Sequence, residues 1–194
     1  SERRIGKAIE SFRDKIFLAT KVLSRAKDEA RAELEGSFSR LNTDVIDLVQ
    51  IHGIKTREDL DAIFDLNGSL GVIEEFKKQG RVQFIGITGH YNLETLLEAL
   101  KRFEFNTVMF PVNPAEKLFA DFEPLVRECQ KREIITIGMK ILGGGKLVEP
   151  LEDYLSYALE YVDVALTGIK TIEQLEKIVE AIKNIRQLSE KEKK

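Results

Sequence analysis

Two titratable side chains directly follow apolar, strand-like runs in consecutive stretches of the chain. Lys21 comes after the run at 15–20, and His52 comes after the run at 45–51. The carboxyl ends of parallel strands are where α/β enzymes keep their reactive groups. We therefore expect Lys21 and His52 to lie together at one end of a parallel sheet, where they could transfer protons or polarise a substrate.

Each of the two residues also has a purely structural interpretation. Lys21 could close a strand, act as a general acid–base group, or form a Schiff base with a carbonyl compound. His52, taken alone, is as readily a hydrogen-bonded structural histidine as a catalytic one. Both residues stand at the ends of adjacent predicted strands, and this favours the functional interpretation for the pair. A lysine rarely ends a buried strand by chance.

Polar residues also follow the later strand-like runs. They are the cluster 88–91, Asn113, Lys140 and the loop 167–171. His90 could equally cap a helix, and Asn113 precedes a proline and could serve a turn. Lys140 stands in an apolar run, where a ligand contact explains it better than solvation does.

Two glycine-containing loops could bind phosphate. The three glycines at 143–145 allow positive φ, although a lone triple glycine is more often a flexible loop. Gly168 and Lys170 precede a predicted helix, whose free N–H groups and dipole favour an anion. Thr171 and Gln174 have the spacing of a capping box at that helix. Loops after the last two strands of a barrel often bind phosphate, so together the two loops predict such a site.

The composition is that of an ordinary soluble globular protein. The chain has 194 residues, 43% of them hydrophobic, and 30 basic against 33 acidic residues, for a net charge of −3. This balance argues against binding to nucleic acid or to a membrane surface. The single cysteine, Cys129, excludes an internal disulfide framework and predicts a cytoplasmic location. Two distant histidines without spaced carboxylates predict no metal site.

Short apolar runs alternate with amphipathic helical patterns. We predict strands near 15–20, 45–51, 82–87, 107–112, 134–139 and 163–167. We predict helices near 2–11, 25–41, 69–79, 92–103, 117–132, 150–161 and 171–185. Strict alternation indicates a parallel sheet with right-handed crossovers. No Gly-x-Gly-x-x-Gly follows the first strand, which favours a barrel over an open dinucleotide-binding sheet.

Six strands are predicted, whereas a closed (β/α)8 barrel has eight. We therefore predict an α/β chain that contains the last six βα units of a (β/α)8 TIM barrel. One domain would cover residues 1–188, with a charged tail over 189–194. The strands near 15–20 and 163–167 would be unpaired edges, and an oligomer would form if a second chain covered them.

The ordered segments resemble the aldo-keto reductases, in a prokaryotic branch of that family. The resemblance covers nearly the whole chain and is carried by residues 17–21, 34–41, 44–52, 80–90, 111–113, 138–145 and 167–170. It implies a (β/α)8 barrel that reduces aldehydes and ketones to alcohols with NADPH, less often NADH. The family lacks a glycine fingerprint for its cofactor, in agreement with its absence here.

The resemblance also implies roles for individual residues. Lys21 would be the catalytic lysine, lowering the pKa of a tyrosine that is ordinarily about 10. His52 would be the catalytic histidine, donating a hydrogen bond to the carbonyl oxygen of the substrate. The cofactor would be contacted by Asn113, Lys140, Leu142, Gly144, Gly168, Lys170, Thr171 and Gln174.

The family places the Asp and Tyr of its catalytic set shortly before a Ser-Glu pair, which here is Ser1-Glu2. The chain could be part of a longer protein, a truncated gene product, or one of two copies that complete each other, and we expect the first. Two alternatives to a reductase stay open. One is a non-catalytic cofactor-binding or regulatory protein on the same fold, and the other is an unrelated barrel with a Schiff-base lysine at Lys21.

Overall fold

The computed structural model describes residues 1–90, 92–117, 121–147 and 149–189. The chain divides into two compact units, Ser1–Thr107 and Val108–Lys194, and each is described by itself. Tyr91 of the predicted polar cluster lies outside the described residues, as do positions 190–194 of the predicted tail and positions 118–120 of a predicted helix.

The first unit opens with a helix and then alternates strands with helices. Its elements are α1 (Glu2–Ile9), a 3-10 turn (Arg13–Lys15), β1 (Ala19–Val22), α2 (Lys27–Leu41), β2 (Ile46–Ile54), α3 (Arg57–Phe64), α4 (Ser69–Lys78), β3 (Val82–Gly89) and α5 (Leu93–Arg102). Strands β1, β2 and β3 are parallel neighbours in that order. Leu34, Phe38 and Leu41 are buried along one side of α2, as their helical spacing indicates.

The predicted start of β1 is wrong. The strand begins at Ala19, because the chain from Arg13 to Lys15 forms a 3-10 turn instead. Arg13 holds this turn beside β2, since its guanidinium donates to the carbonyl of Ile16 at 3.1 Å and to the carboxylate of Asp47 at 2.7 Å. The apolar run therefore enters the sheet later than its composition alone suggests.

The ends of the first two strands and one helix also differ from the sequence prediction. β1 and β2 are longer at their carboxyl ends, so Lys21 and His52 lie within their strands and not after them. Helix α3 escapes the sequence prediction, because its eight residues bury only Leu60 and Ile63 and give a weak apolar pattern. Its capping box at Thr56 is the local signal that could have identified it.

The second unit contains the remaining elements. They are β4 (Thr107–Pro111, which begins at the last residue of the first unit), α6 (Pro114–Lys117), α7 (Glu123–Lys131), β5 (Ile135–Met139), α8 (Leu151–Leu159), β6 (Val164–Ala165) and α9 (Ile172–Lys183). Strands β4, β5 and β6 are neighbours in that order, and β5 pairs with β6 in parallel. The single helix predicted near 117–132 is wrong, because Pro124 favours the first turn of a helix and α7 starts beside it.

Candidate active site

Lys21 and His52 lie on neighbouring parallel strands, β1 and β2. Lys21 of β1 is paired in register with Gln50 of β2. His52 follows Gln50 by two residues, at the point where the pairing of β2 with β3 shifts register. Both side chains line one cleft, and the charge of Lys21 acts on the His52 imidazole. The parallel pairing of β1 with β2 therefore brings the lysine and the histidine together, as the sequence predicts.

Both side chains line one cleft of about 650 Å³ within the first unit. This volume falls within the range of small-molecule sites, roughly 300–1,000 Å³. Glu2, Arg3 and Arg4 of α1 form part of the same wall. Lys21 and His52 are each partly buried, so a ligand in the cleft can meet both while they are shielded from bulk solvent.

Burial and charge set the protonation of the pair. Burial lowers the pKa of the Lys21 ammonium below its ordinary value, because the charged amine loses hydration. Burial also lowers the pKa of the His52 imidazole, and the positive charges of Lys21 and Arg25 lower it further, against an opposing effect of Glu33. His52 is therefore predominantly neutral at pH 7 and can donate one ring N–H to an acceptor.

The lowered pKa of His52 predicts that acidification destabilises the fold. The unfolded chain has the ordinary histidine pKa of about 6.5, so below that value it binds protons more readily than the folded chain. The stability that depends on neutral His52 is present above this pKa and declines as the pH falls toward the lower folded pKa. Measured by urea unfolding between about pH 7.5 and 5, the free energy of unfolding should decline less in His52→Gln than in the wild type. Identical pH profiles for the two proteins would contradict the shift.

Arg25 fixes the backbone at His52. Its guanidinium donates to the carbonyl oxygens of His52 at 3.0 Å and Leu23 at 2.9 Å. It also pairs with the carboxylate of Asp59 at 3.2 Å. Glu33 of α2 accepts from the N–H of Leu23 at 3.0 Å and so holds the chain that leaves β1. Arg25 and Glu33 could not be recognised from the sequence, because a charged residue near a loop carries no local signal of what it contacts.

Glu2 ties α1 to the wall of the cleft. Its two carboxylate oxygens accept from Thr20 Oγ1 and from Arg40 Nε, each at 2.6 Å. Burial raises the pKa of this carboxyl, but hydrogen bonds from Thr20, Arg40 and Ser37 outweigh burial, and the pKa is lowered overall. Glu2 is thus a charged anchor beside Lys21. In the sequence, Glu2 is notable only because Ser1-Glu2 resembles a Ser-Glu pair of the family. That resemblance does not predict these hydrogen bonds.

In the second unit, Asn113 and Lys140 meet through the backbone. Asn113 is buried and donates from Nδ2 to the carbonyl oxygen of Lys140 at 2.9 Å. The same oxygen accepts from the N–H of Gly143 at 2.8 Å. Lys140 has a left-handed φ of 54°, which residues other than glycine seldom adopt, and these bonds hold it there. Asn113 is therefore a positioning residue for the loop after β5, and its contact with a cofactor stays a prediction.

The triple-glycine loop leaves its backbone open. Gly143, Gly144 and Gly145 have φ values of 53°, 71° and 92°. A Cβ added to Gly144 or Gly145 would meet no atom within 4 Å. Leu142 closes the turn, since its carbonyl accepts from the N–H of Gly145 at 2.7 Å. The loop has the backbone access that close contact with a ligand requires.

Thr171 caps helix α9, but Gln174 does not complete the capping box that their spacing predicts. The Thr171 hydroxyl accepts from the N–H of Gln174 at 3.3 Å, and the Gln174 side chain accepts from the N–H of Lys170 at 2.8 Å. Two backbone donors at this helix start are therefore occupied by side chains. Gly168 is open, because an added Cβ would meet no atom within 4 Å. Contacts of Gly168, Lys170, Thr171 and Gln174 with a cofactor stay predictions.

The cap predicts a modest loss of stability in Thr171→Ala. Removing the hydroxyl leaves the N–H of Gln174 without its acceptor and should lower the free energy of unfolding by about 1 kcal/mol. Thr171→Ser keeps the hydroxyl and is the matched control. Urea denaturation of both variants checks the effect. If the alanine variant were as stable as the serine variant, the hydroxyl would contribute nothing to the free energy of unfolding.

Within the described ranges of the chain, no group of three or more His, Cys, Asp or Glu residues is arranged to hold a metal ion. None of the helices described there is long and apolar enough to cross a membrane. Burial raises the pKa of the Cys129 thiol to about 12, so this cysteine is an unreactive part of the core.

Comparison with known proteins identifies the family. The family model described as "Aldo/keto reductase family" matches residues 1–154. The chain belongs to the aldo/keto reductase family. Aldo-keto reductase YhdN of Bacillus subtilis (strain 168) is 30% identical over 129 residues, which cover 60% of this chain and 37% of the relative. Uncharacterized oxidoreductase YqkF of the same strain is 25% identical over 89% of this chain, which spans 60% of that relative's length.

A solved structure confirms the fold of this aldo/keto reductase chain. The holo form of aldo-keto reductase AKR11C1 from Bacillus halodurans matches with a TM-score of 0.81 at 23% identity. The match covers 99% of this chain and 75% of the solved one. The predicted fold class is therefore confirmed, because such neighbours are (β/α)8 barrels and the chain covers part of that fold. The extension of a single domain over residues 1–188 stays a prediction.

Proposed function

We propose that the protein reduces aldehyde and ketone carbonyls to alcohols with NADPH, and that Lys21 and His52 act on the carbonyl oxygen. The supporting observation is their placement on neighbouring parallel strands and in one cleft. There the ammonium helps to keep the imidazole neutral. An imidazole N–H and an ammonium are suitable donors for the negative charge that develops on a carbonyl oxygen during reduction.

The two side chains would divide the work at the carbonyl oxygen. His52 would donate its N–H and polarise the carbonyl, while the positive charge of Lys21 would stabilise the developing alkoxide. The lowered pKa of Lys21 also brings the ammonium closer to the acidity that proton transfer near neutral pH requires. In the family pattern the proton comes from a tyrosine, whose pKa a neighbouring lysine lowers.

The loops of the second unit fit a nicotinamide cofactor in charge and in backbone access. Gly144 offers an open backbone, and Lys140 and Lys170 supply positive charge for phosphate groups. When bound, the cofactor supplies the reducing equivalent for the carbonyl carbon. The charge of Lys170 supports NADPH over NADH, since it could meet the 2′-phosphate. The residues that would hold the cofactor are Asn113, Lys140, Leu142, Gly144, Gly168, Lys170, Thr171 and Gln174.

The test is oxidation of NADPH by the full chain with a panel of aldehydes and ketones. A fluorescence titration with NADPH and with NADH on the same sample measures cofactor binding. We expect carbonyl-dependent oxidation and tighter binding of NADPH. Cofactor binding with no turnover of any carbonyl compound would favour a regulatory cofactor-binding protein, and the absence of both would refute the proposal.

Schiff-base chemistry at Lys21 is a second candidate, favoured by one observation. Burial lowers the pKa of Lys21, and no carboxylate in the described part of the chain forms an ion pair with it. A nucleophilic lysine needs its amine partly unprotonated and accessible. Borohydride added with an aldehyde would then leave a reduced adduct on Lys21, detectable by peptide mass. Because the family pattern supports carbonyl reduction, we rank this candidate second.

The setting of the reaction also belongs to the proposal. The single cysteine supports a cytoplasmic location, where thiols stay reduced. The near balance of basic and acidic residues supports a small carbonyl compound as partner in preference to a nucleic acid. Fractionation of the source cells and the retention volume of the full chain on a sizing column check the location and the predicted oligomer.

A further inference from the structure

Strand β2 contains a β-bulge at His52. Between the register pairs Ile51–Ile87 and Ile54–Gly89, β2 has two residues where β3 has one. His52 is the first of these two residues. A bulge interrupts the hydrogen bonds between strands and re-aims a side chain, and bulges are frequent beside active sites. The direction of the His52 side chain therefore depends on what holds the bulge in shape.

Side chains bond the backbone of the bulge. The N–H of Gly53 donates to Oγ1 of Thr88 at 2.8 Å. Nη2 of Arg25 donates to the carbonyl oxygens of His52 at 3.0 Å and Gly53 at 3.4 Å. Gly53 has a left-handed φ of 66°, which glycine adopts without steric cost. The bulge is thus held by a hydroxyl of β3 and by the guanidinium of Arg25.

Arg25 is itself anchored to helix α3. Its Nε donates to Oδ1 of Asp59 at 3.2 Å. Oδ2 of Asp59 accepts from the N–H of Lys55 at 2.9 Å, just before the helix. The side chains of Arg25 and Asp59 are only 19% and 26% exposed, so the ion pair is largely shielded from solvent. The guanidinium therefore joins α3 to the bulge in one fixed arrangement.

We propose that Arg25 is a positioning residue, which holds the bulge of β2 in the shape that keeps His52 beside Lys21. This role deepens the proposed reductase function and depends on it for the reaction. A guanidinium presents its donors in a planar fork and here reaches two bulge carbonyls and the Asp59 carboxylate at once, whereas an ammonium donates from a single atom. Lysine at this position should therefore leave the bulge less well held.

The test compares Arg25→Lys with Arg102→Lys, because each arginine forms an ion pair with α3. Arg102 pairs with Asp61 at 2.6 Å, and in the described part of the chain none of its hydrogen bonds reaches β2. Arg25→Lys keeps the positive charge near His52, so a change in rate reports geometry and not charge. We expect its kcat with an aldehyde and saturating NADPH to fall about tenfold or more, with the Kd for NADPH unchanged. Arg102→Lys should keep the wild-type kcat.

Two further variants show whether Arg25 acts through His52. Asp59→Asn removes the charge that holds Arg25 but keeps an oxygen acceptor for the start of α3, and it should lower kcat in the same direction. In a His52→Gln background, Arg25→Lys should cause no further loss, because the group that it positions is gone. A loss as large in that background as in the wild type would overturn the inference, as would equal losses in Arg25→Lys and Arg102→Lys.

Amide hydrogen exchange at Gly53, followed by NMR, reports on the bulge without any reaction. The Gly53 N–H should exchange faster in Arg25→Lys than in the wild type or in Arg102→Lys. Wild-type kcat in Arg25→Lys would overturn the inference and retain the reductase. Faster exchange in Arg25→Lys alone, with no turnover of any aldehyde by the wild type, would retain the hold on the bulge and refute the reductase. Unchanged exchange together with no wild-type turnover would overturn both.

Discussion

Lys21→Met should reduce kcat for aldehyde reduction about a thousandfold and leave the Kd for NADPH within a factor of about three. Methionine keeps an unbranched side chain of similar length but removes the charge. The developing alkoxide then loses its ammonium partner, while the predicted cofactor residues, all of which lie in the second unit, are untouched. Steady-state turnover and a fluorescence titration on the same preparation measure the two quantities.

Lys7→Met is the matched control for this variant. Lys7 is exposed on α1 and does not line the cleft, so its loss should leave turnover unchanged. Turnover at the wild-type level in Lys21→Met would show that Lys21 is not a catalytic residue. If both variants lost turnover, the effect would instead reflect a general loss of structure.

Gly86→Ala should lower the free energy of unfolding by about 2 kcal/mol or more through overpacking. Gly86 of β3 is paired in register with Gln50 of β2. A Cβ at this position would lie 2.1 Å from Oγ1 of Thr107 and 3.0 Å from Cγ of Gln50. Because Gln50 is also the register partner of Lys21, we expect the strain to disturb Lys21 as well.

Gly71→Ala is the opposite control, measured by the same urea denaturation. Gly71 is an exposed residue of α4, and an added Cβ would meet no atom within 4 Å. Alanine is the better helix former, so this variant should gain up to about 1 kcal/mol. A Gly86→Ala protein as stable as the wild type would show that β2, β3 and the start of β4 are less closely packed than the structure has them.

The order of the strands could be predicted from sequence because it depends on local hydrophobic periodicity. Each of the six predicted strands has a counterpart in the described structure. The strand ends could not be predicted, because they depend on hydrogen bonds from neighbouring elements. The N–H of Gly53, just after His52, donates to the Thr88 hydroxyl of β3 at 2.8 Å, a contact between residues 35 apart in sequence. A contact with a residue so distant in sequence cannot be predicted from a local pattern.

The site could be predicted as a pair of residue types but not as a network. Lys21 and His52 follow runs that read as strands, and the parallel pairing then brings them together. The contacts of Glu2 and Arg25 became visible only in the structure, since each acts on the site through partners from other elements. The salt bridge between Glu2 and Arg40 joins residues 38 positions apart.

The central claim is that Lys21 and His52 act together on one carbonyl oxygen, and a double-mutant cycle in kcat tests it most directly. The cycle compares the wild type, Lys21→Met, His52→Gln and the double variant with one aldehyde and saturating NADPH. Residues that act as a unit show strongly non-additive losses. We expect the double variant to be no more than about threefold slower than the slower single variant. Losses that multiply in the double variant, or full turnover in either single variant, would contradict the account.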